Sequence, residues 1–191
     1  NYVKRNFKIE ESVQSQIIQL GKQLEVSKDT IFIAAFAICC YRLNLSNNAA
    51  FGVTINGRYF EEIQKLKGVM AKTFPFYVEI SDEISFLDLL KRSQKEFEDL
   101  QESHSNFKEQ EEDISKIQFV SNNFQNLSGY DCFSPSEPFS LRYEISTSES
   151  ELMHAIRYDK EAISEVFVEN VESTLDVILK GIIKDTNSKI S

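Results

Sequence analysis

The sequence predicts an α/β fold in which a mixed β-sheet is flanked by helices. Apolar residues recur at helical spacing in some segments and alternate with period two in shorter ones. These segments come as two helices, then strands interleaved with a helix, then strands and a last helix, which indicates a mixed sheet covered by helices. No Pro/Gly/Ser-rich linker divides the 191 residues, so we expect a single domain over residues 1–191.

The first two predicted helices lie near the N-terminus. Between Glu10 and Glu25, apolar residues recur at spacings of four, three and four, which places one apolar stripe on a helix. The stripe consists of Val13, Ile17, Leu20 and Leu24. Ser27 or Asp29 can cap a second helix that runs to about Leu43. That helix is apolar nearly all round and is therefore expected at the centre of the fold.

Two strands and a third helix are predicted in the middle of the chain. The stretch "AAFGVTIN" is β-branched and aromatic and ends at Asn56-Gly57, which is typical of a strand running into a tight turn. The stretch "KTFPFYVEI" alternates apolar residues from Phe74 to Ile80, and Pro75 indicates an edge strand or a bulge. Ser85 then precedes a helix to about Ser103.

The C-terminal part predicts three more strands and a final helix. The strands are "KIQFVSNNFQ", "FSLRYEIS" and "ELMHAIRYD", and the last two are expected to pair as a hairpin. The final helix is predicted from Ala162 to about Ile183. Residues 185–191, after Lys184, are expected to fray.

Composition limits the classes of partner. A formal net charge of -9 and a pI near 4.9 argue against binding to nucleic acid or to an anionic membrane. The three cysteines have no metal-ligand spacing and form no even-numbered disulfide framework, so a reducing cytoplasm fits best. Cys39 and Cys40 lie in the apolar run from Ile31 to Tyr41, where thiols pack as small hydrophobes. That run is too short to span a bilayer.

Five stretches follow one another in a recognisable order. They are an apolar helix at Val26–Cys39, "FGVTINGR" at 51–58, "KGVMAKTFPFYVEI" at 67–80, "SFLDLL" at 85–90 and "HSNF" at 104–107. With them the chain resembles the C-terminal lobe of a nonribosomal peptide synthetase condensation domain. That lobe carries a G-hydrophobic-x-x-x-G-R turn, an (I/V)-G-x-F-V-N-T-x-x-x-R segment, SF-x-x-LL and (H/N)-Q-D-Y-P-F. The later stretches "FVSNNFQN" and "IRYDKEAISEVFVENVESTLDVIL" are similar to the family's phenylalanine-rich strand and its final strand and helix.

The resemblance implies a chloramphenicol-acetyltransferase-like architecture, in the superfamily of CoA-dependent acyltransferases. Such enzymes have two related lobes, with donor and acceptor tunnels that meet between them. The family's catalytic H-H-x-x-x-D-G segment belongs to the first lobe, and this sequence contains no such segment. No bound cofactor is expected, because phosphopantetheine would enter only as the arm of a carrier-protein substrate.

One stretch, "HAIRYD" from His154 to Asp159, superficially resembles the catalytic segment. Its His and Asp are five residues apart rather than four, no second His precedes them, and no Gly follows. On a strand, two residues an odd number apart point to opposite faces. A structural role is therefore predicted for His154.

Six residues are candidates for the substrate tunnel or its loops, on the strength of the resemblance. They are Gly57, Arg58, Gly68, Lys72, Thr73 and His104. The glycines are most simply positions that need positive φ or close backbone approach. Arg58 either fastens its loop to a carboxylate or carbonyl or meets a phosphate of a carrier-bound arm, the structural role being favoured. For His104, a place on the surface or in a loop is the simpler interpretation.

Two other features bear on the relation to a partner lobe. Lys72 stands where the family has Asn, so a side chain that donates and accepts is replaced by one that only donates. Either the tunnel chemistry differs, or Lys72 points to solvent. Tyr130 and Phe133, in the loop "GYDCFSPSEP", are candidates for contact with the other lobe, and ordinary loop packing is the alternative.

Two functions from different classes follow. The first is one half of a condensation-type acyltransferase, inactive alone, and the second is a non-catalytic module that docks a carrier protein or another synthetase domain; an unrelated α/β domain is the third interpretation. The expected partners are an N-terminal condensation lobe, a peptidyl or acyl carrier protein and adjacent synthetase domains. A missing lobe would expose apolar surface and favour self-association. The beginning, "NYVKRNFKIEES", resembles the family's link between lobes, so an excised or truncated piece is the most economical explanation.

Overall fold

A computed structural model describes residues 1–45, 50–56, 71–103, 116–121, 138–148 and 151–190. These ranges contain six strands and four helices. The strands are β1 (Tyr2–Phe7), β2 (Phe51–Asn56), β3 (Ala71–Phe76), β4 (Ile117–Ser121), β5 (Leu141–Ser148) and β6 (Glu151–Asp159). The helices are α1 (Glu11–Leu24), α2 (Lys28–Arg42), α3 (Phe86–Ser103) and α4 (Glu165–Lys184).

The strands form one mixed sheet in the order β1-β6-β5-β4-β2-β3. The β2–β4 and β4–β5 pairs are parallel, and the other three pairs are antiparallel. The predicted α/β class and the predicted β5–β6 hairpin are therefore confirmed. Among the described strands β3 lies at one end of the sheet, which fits Pro75 because proline has no N–H to give to a further strand.

The central helix α2 packs on the middle of the sheet. Ser27 caps it, since its hydroxyl accepts a hydrogen bond from the Thr30 backbone N–H at 3.0 Å. Its residues from Asp29 to Cys40 are all buried, as its apolar composition predicts. Phe36 contacts the rings of Phe51 and Tyr143, at centroid distances of 5.1 and 5.4 Å. Each fully buried side chain of this size contributes about 2 kcal/mol of hydrophobic free energy.

The final helix begins three residues later than predicted. Ala162 and Ile163 instead donate backbone hydrogen bonds to the Asp159 carbonyl in a turn. The helix starts after Ser164, whose hydroxyl accepts from the Phe167 N–H at 3.2 Å. Val166 also falls outside the buried stripe and is 66% exposed.

The third strand is shorter than the alternating sequence predicts. It ends at Phe76, which is paired with Phe51, the first residue of β2. Beyond that pair no described residue of β2 remains to continue the ladder. Val78 is nevertheless buried, so its apolar side chain packs into the core without a place in a strand.

Two terminal segments are more ordered than the sequence indicates. Residues 2–7, assigned only to a link between lobes, form strand β1, which pairs with β6 from Tyr2↔Asp159 to Phe7↔His154. Arg5 also fastens β1 to α4 through ion pairs with three carboxylates, Glu165 at 3.0 Å, Glu169 at 3.3 Å and Glu172 at 2.9 Å.

The expected fraying of residues 185–191 is wrong for residues 185–190. The Phe86 and Leu87 N–H groups, in the first turn of α3, donate to carbonyls of Ser188 and Thr186 at 3.2 and 2.9 Å. The first N–H groups of a helix have no partner within it, so these carbonyls satisfy them. Ile190 is only 4% exposed, which adds an apolar anchor.

Candidate functional site

The two faces of the sheet differ in chemistry. Side chains alternate along each strand, so Tyr143 and His154 lie on one face and Arg142 and Glu144 lie on the other. Aromatic rings of α2 contact the first face, where the ring centroids of Phe32 and His154 are 5.2 Å apart. We call the second face the polar face. Its polar residues include Lys4, Thr54, Thr73, Gln118, Arg142, Glu144 and Arg157.

A row of polar side chains crosses four strands of the polar face. Register places Lys4 opposite Arg157, Arg157 opposite Arg142, and Arg142 opposite Gln118. Glu144, one row away, accepts a hydrogen bond from Arg157 Nε at 3.1 Å and lies 3.5 Å from Lys4 Nζ. Arg142 Nε donates to Gln118 Oε1 at 2.8 Å.

Several of these charged groups are withdrawn from solvent. Arg142 is 3% exposed and Glu144 is 8% exposed. Burying a charge is costly unless it is paired or hydrogen-bonded. Here Glu144 is paired with Arg157, and Arg142 is hydrogen-bonded to Gln118. The Arg142 guanidinium also lies over the Phe139 ring, 3.9 Å from its centroid. The polar face therefore holds Arg142 and Glu144 in fixed positions.

Thr73 is the one predicted site residue whose side chain the structure describes. It lies in β3 opposite Thr54 of β2, and the two hydroxyl oxygens are 3.1 Å apart. Both side chains are half-buried. Across β2 the same row continues to Val120 and then to Glu144. Thr73 is thus brought into the polar face beside a hydroxyl that sequence reasoning did not single out.

His154 lies on the helix-covered face, as its structural role requires. It is 1% exposed, and its Nδ1 lies 2.8 Å from the Tyr143 hydroxyl. The rings of Phe7 and Phe32 pack against it. Burial lowers the pKa of His154 to about 4, and Nε2 has no hydrogen-bond partner among the described residues. The sheet separates this neutral imidazole from the groups of the polar face.

The described cysteines offer no nucleophile. Cys39 and Cys40 are buried in α2, as predicted for core packing. Burial raises the pKa of Cys39 to about 12 and also raises that of Cys40, so both remain thiols near neutral pH. Among the residues with described coordinates, no cluster of three His, Cys, Asp or Glu could hold a metal ion. Over the same residues, no helix is long and apolar enough to cross a bilayer.

The other sequence candidates remain predictions. Lys72 lies in β3 opposite Ile55, by its backbone register. The rest lie outside the described residues: Gly57, Arg58, Gly68, His104, Tyr130 and Phe133.

Sequence reasoning missed the charged residues of the polar face. A signal for them exists, because Arg142 and Glu144 alternate with apolar residues in "LRYEI", and Arg157 does so in "IRYD". Lys4 had no comparable signal, since β1 was not predicted.

Comparison with known proteins shows similarity in sequence and in fold. The family described as Condensation domain matches residues 2–191. The chain is 30% identical over 103 residues to one of the plipastatin synthase polypeptides of Bacillus subtilis (strain 168). That stretch is 53% of this chain and 4% of the relative, so the chain spans only a small part of that protein.

Solved structures share the fold at low sequence identity. A four-domain nonribosomal peptide synthetase bound to AMP and glycine superposes with a TM-score of 0.82 and 14% identity, over 100% of this chain and 17% of that one. The first condensation domain of the CDA synthetase superposes with a TM-score of 0.80 and 12% identity, over 98% of this chain and 46% of that one. A chain in a complex of the X-domain and OxyB from teicoplanin biosynthesis superposes with a TM-score of 0.75 and 11% identity. The match covers 100% of this chain and 47% of that one.

Proposed function

The chain belongs to the condensation-domain family, and from this premise we propose that it is the C-terminal half of a condensation-type acyltransferase of nonribosomal peptide synthesis. The reaction is transfer of an acyl or peptidyl group from a carrier-protein thioester to an amine or a hydroxyl. In this proposal the chain forms the tunnel and carrier-docking side of the site, and a first lobe supplies the histidine. Such a synthetase would work in the cytoplasm.

The observation that carries the proposal is the share of a solved condensation domain that the chain covers. The chain aligns over 98% of its own length and yet spans 46% of the first condensation domain of the CDA synthetase. A fold made of two related lobes would account for this proportion. The sequence is consistent with the second lobe, since its two histidines, His104 and His154, are not adjacent and form no H-H-x-x-x-D-G segment.

Positioning is what a lobe without the base contributes. Holding the thioester and the acceptor in an attacking geometry replaces a costly bimolecular encounter, which is worth several orders of magnitude in rate. The polar face supports this role, because Arg142 donates a hydrogen bond to Gln118 and Arg157 donates one to Glu144, while Arg142 and Glu144 are buried. Thr73 belongs to the same face. Gly57, Arg58, Gly68, Lys72 and His104 remain candidates for the tunnel, and Tyr130 and Phe133 for contacts between lobes.

Reconstitution tests the proposal. The chain is mixed with a matching N-terminal condensation lobe, an acylated carrier protein and an acceptor carried by a second carrier protein, and product is followed by mass spectrometry. We expect product only when both lobes are present, and none from the chain alone. The control is a first lobe in which the second histidine of the H-H-x-x-x-D-G segment is replaced by alanine. Turnover by the isolated chain would contradict the proposal.

A second candidate function is a non-catalytic module that binds a carrier protein or a synthetase domain. The fold of this chain is also that of the X-domain, which was solved in a complex with OxyB. The exchange of the family's Asn for Lys at position 72 favours the same candidate. A tight complex without product in the reconstitution, when an authentic second lobe does give product, would support the module. Self-association belongs to either candidate and is tested by sedimentation.

A further inference from the structure

The alternation of β3 continues after the strand itself has ended. Phe76 and Val78 are buried, whereas Tyr77 and Glu79 are exposed, which indicates that the chain stays extended over these residues. Residues an even number apart on an extended chain direct their backbone N–H and C=O groups to the same side. Pro75, Tyr77 and Glu79 therefore present their backbone groups to one common side of this segment.

That common side is the outer edge of the sheet. Proline has no N–H to give to a ladder, so within a sheet its backbone faces away from the neighbouring strand. Strand β2 lies on one side of β3, and β3 is the last of the described strands in the order of the sheet. The backbone groups of Tyr77 and Glu79 thus continue the edge to which a further strand would pair.

Two side chains of α3 occupy backbone groups of this edge. The Tyr77 N–H donates a hydrogen bond to the Glu96 carboxylate. The Glu79 carbonyl accepts a hydrogen bond from Arg92 Nη1 at 3.4 Å. Arg92 and Glu96 are one helical turn apart, so they project from the same side of α3. Since Pro75 has no N–H, each of three successive edge positions lacks, or has already committed, a group that a second strand would use.

Without these contacts the segment would be a good partner for another strand. The stretch "FYVEI", residues 76–80, contains aromatic and β-branched residues, which favour strands. Edges of this kind pair with other chains, and natural proteins close them with prolines, with charges or with covering groups. A second copy of this chain is a partner that every solution of the protein contains. Two such edges related by a two-fold axis present the same groups to each other.

We infer that Arg92 and Glu96 protect the edge of β3 against pairing with a second copy of the chain. The two side chains act in place of a strand, because the Glu96 carboxylate accepts from the edge donor and the Arg92 guanidinium donates to the edge acceptor. The inference goes beyond the proposed function and does not depend on it, since an open edge would pair whatever the domain binds.

Sedimentation velocity and amide hydrogen exchange followed by NMR test the inference. The double variant Arg92→Ala, Glu96→Ala frees both backbone groups and leaves the net charge unchanged. The matched control Lys95→Ala, Asp99→Ala removes two exposed charges of the same signs and spacing from the same helix. Glu96→Gln keeps an oxygen that accepts from the Tyr77 N–H. Alanine favours helices, so α3 should remain intact in the alanine variants, and circular dichroism checks this.

The alanine variant of Arg92 and Glu96 should self-associate about tenfold or more tightly than the wild type. Each freed backbone group forms a hydrogen bond in both halves of a symmetric pair, and one such bond is worth about fivefold. The control double variant and Glu96→Gln should sediment as the wild type does. Adding Tyr77→Pro to the alanine variant removes the freed donor and should reverse most of the gain.

Three results would overturn the inference. If the Tyr77 amide exchanges as slowly in the alanine variant of Arg92 and Glu96 as in the wild type, Glu96 does not hold it. If that amide is released and the variant still sediments as the wild type does, the edge needs no protection. If the Lys95 and Asp99 control associates equally well, the loss of surface charges is the cause rather than the opening of the edge.

Discussion

Replacing His154 by glutamine should remove a pH-dependent part of the domain's stability. His154 is buried as a neutral imidazole with its Nδ1 hydrogen-bonded to the Tyr143 hydroxyl, and glutamine keeps a neutral acceptor in its place. Among the described residues the rings packed against His154 are those of Phe7, Phe32 and Tyr143, none of which is charged near neutral pH. Desolvation is therefore the dominant cause of the lowered pKa.

The magnitude follows from the pKa of about 4 in the folded state against 6.5 for an unperturbed imidazole. Between these values the unfolded state binds more protons than the folded state, so the free energy of unfolding falls as the pH falls. The loss is negligible above about pH 7 and reaches about 3 kcal/mol below pH 4. At pH 4.5 it should be about 2.5 kcal/mol.

Urea unfolding of the wild type and His154→Gln at pH 7.5 and pH 4.5 measures this effect. Other groups titrate in both proteins. The change in the free energy of unfolding between the two pH values is therefore determined for each protein, and the two changes are compared. The wild type should lose about 2.5 kcal/mol more than the variant. Tyr143→Phe is the matched control, because it keeps the ring and the buried imidazole and should retain the wild-type pH dependence. Equal pH dependence in the wild type and His154→Gln, within about 0.5 kcal/mol, would refute a buried neutral imidazole.

Three further predictions concern stability and reactivity. Glu144→Gln should lower the free energy of unfolding by about 2 kcal/mol, since it removes the countercharge that pairs with Arg157; a change below about 0.5 kcal/mol in urea unfolding would contradict the ion pair. Ile190→Ala should cost about 2–3 kcal/mol in thermal unfolding because its side chain is buried, whereas a frayed tail predicts no change. Cys39 and Cys40 should react with a thiol reagent only after denaturation, because both are buried thiols of raised pKa; rapid labelling of the native protein at either site would contradict this.

The elements predicted well from the sequence are those whose burial imposes a period. The stripe on α1 and the alternation in β5 are readable because one side of each element packs into the apolar core, although both sides of β5 are buried. Strand β1 lies at an end of the sheet with all of its residues exposed or half-buried, so burial does not impose an alternating pattern on it. The order of residues 185–190 comes from carbonyls that meet the first turn of α3, a tertiary contact that no local pattern reveals.

The candidate site was predictable only in part, for a similar reason. The resemblance to a family singled out Thr73, but its partner Thr54 depends on the register between β2 and β3. The alternation that places Arg142 and Glu144 on one face is visible in a single strand. Their contacts with Gln118 and Arg157 are not, because these depend on which strands are neighbours.

The proposed function requires that this domain position a transfer reaction whose proton is moved by a histidine of another lobe. The rate of product formation by the two reconstituted lobes tests it most directly, with the chain carrying either His154 or His154→Gln. We expect the two rates to agree within about twofold at pH 7.5, whereas replacing the first lobe's second catalytic histidine by alanine should reduce the rate by about 100-fold or more. A rate that falls with His154→Gln and survives the change in the first lobe would contradict the claim.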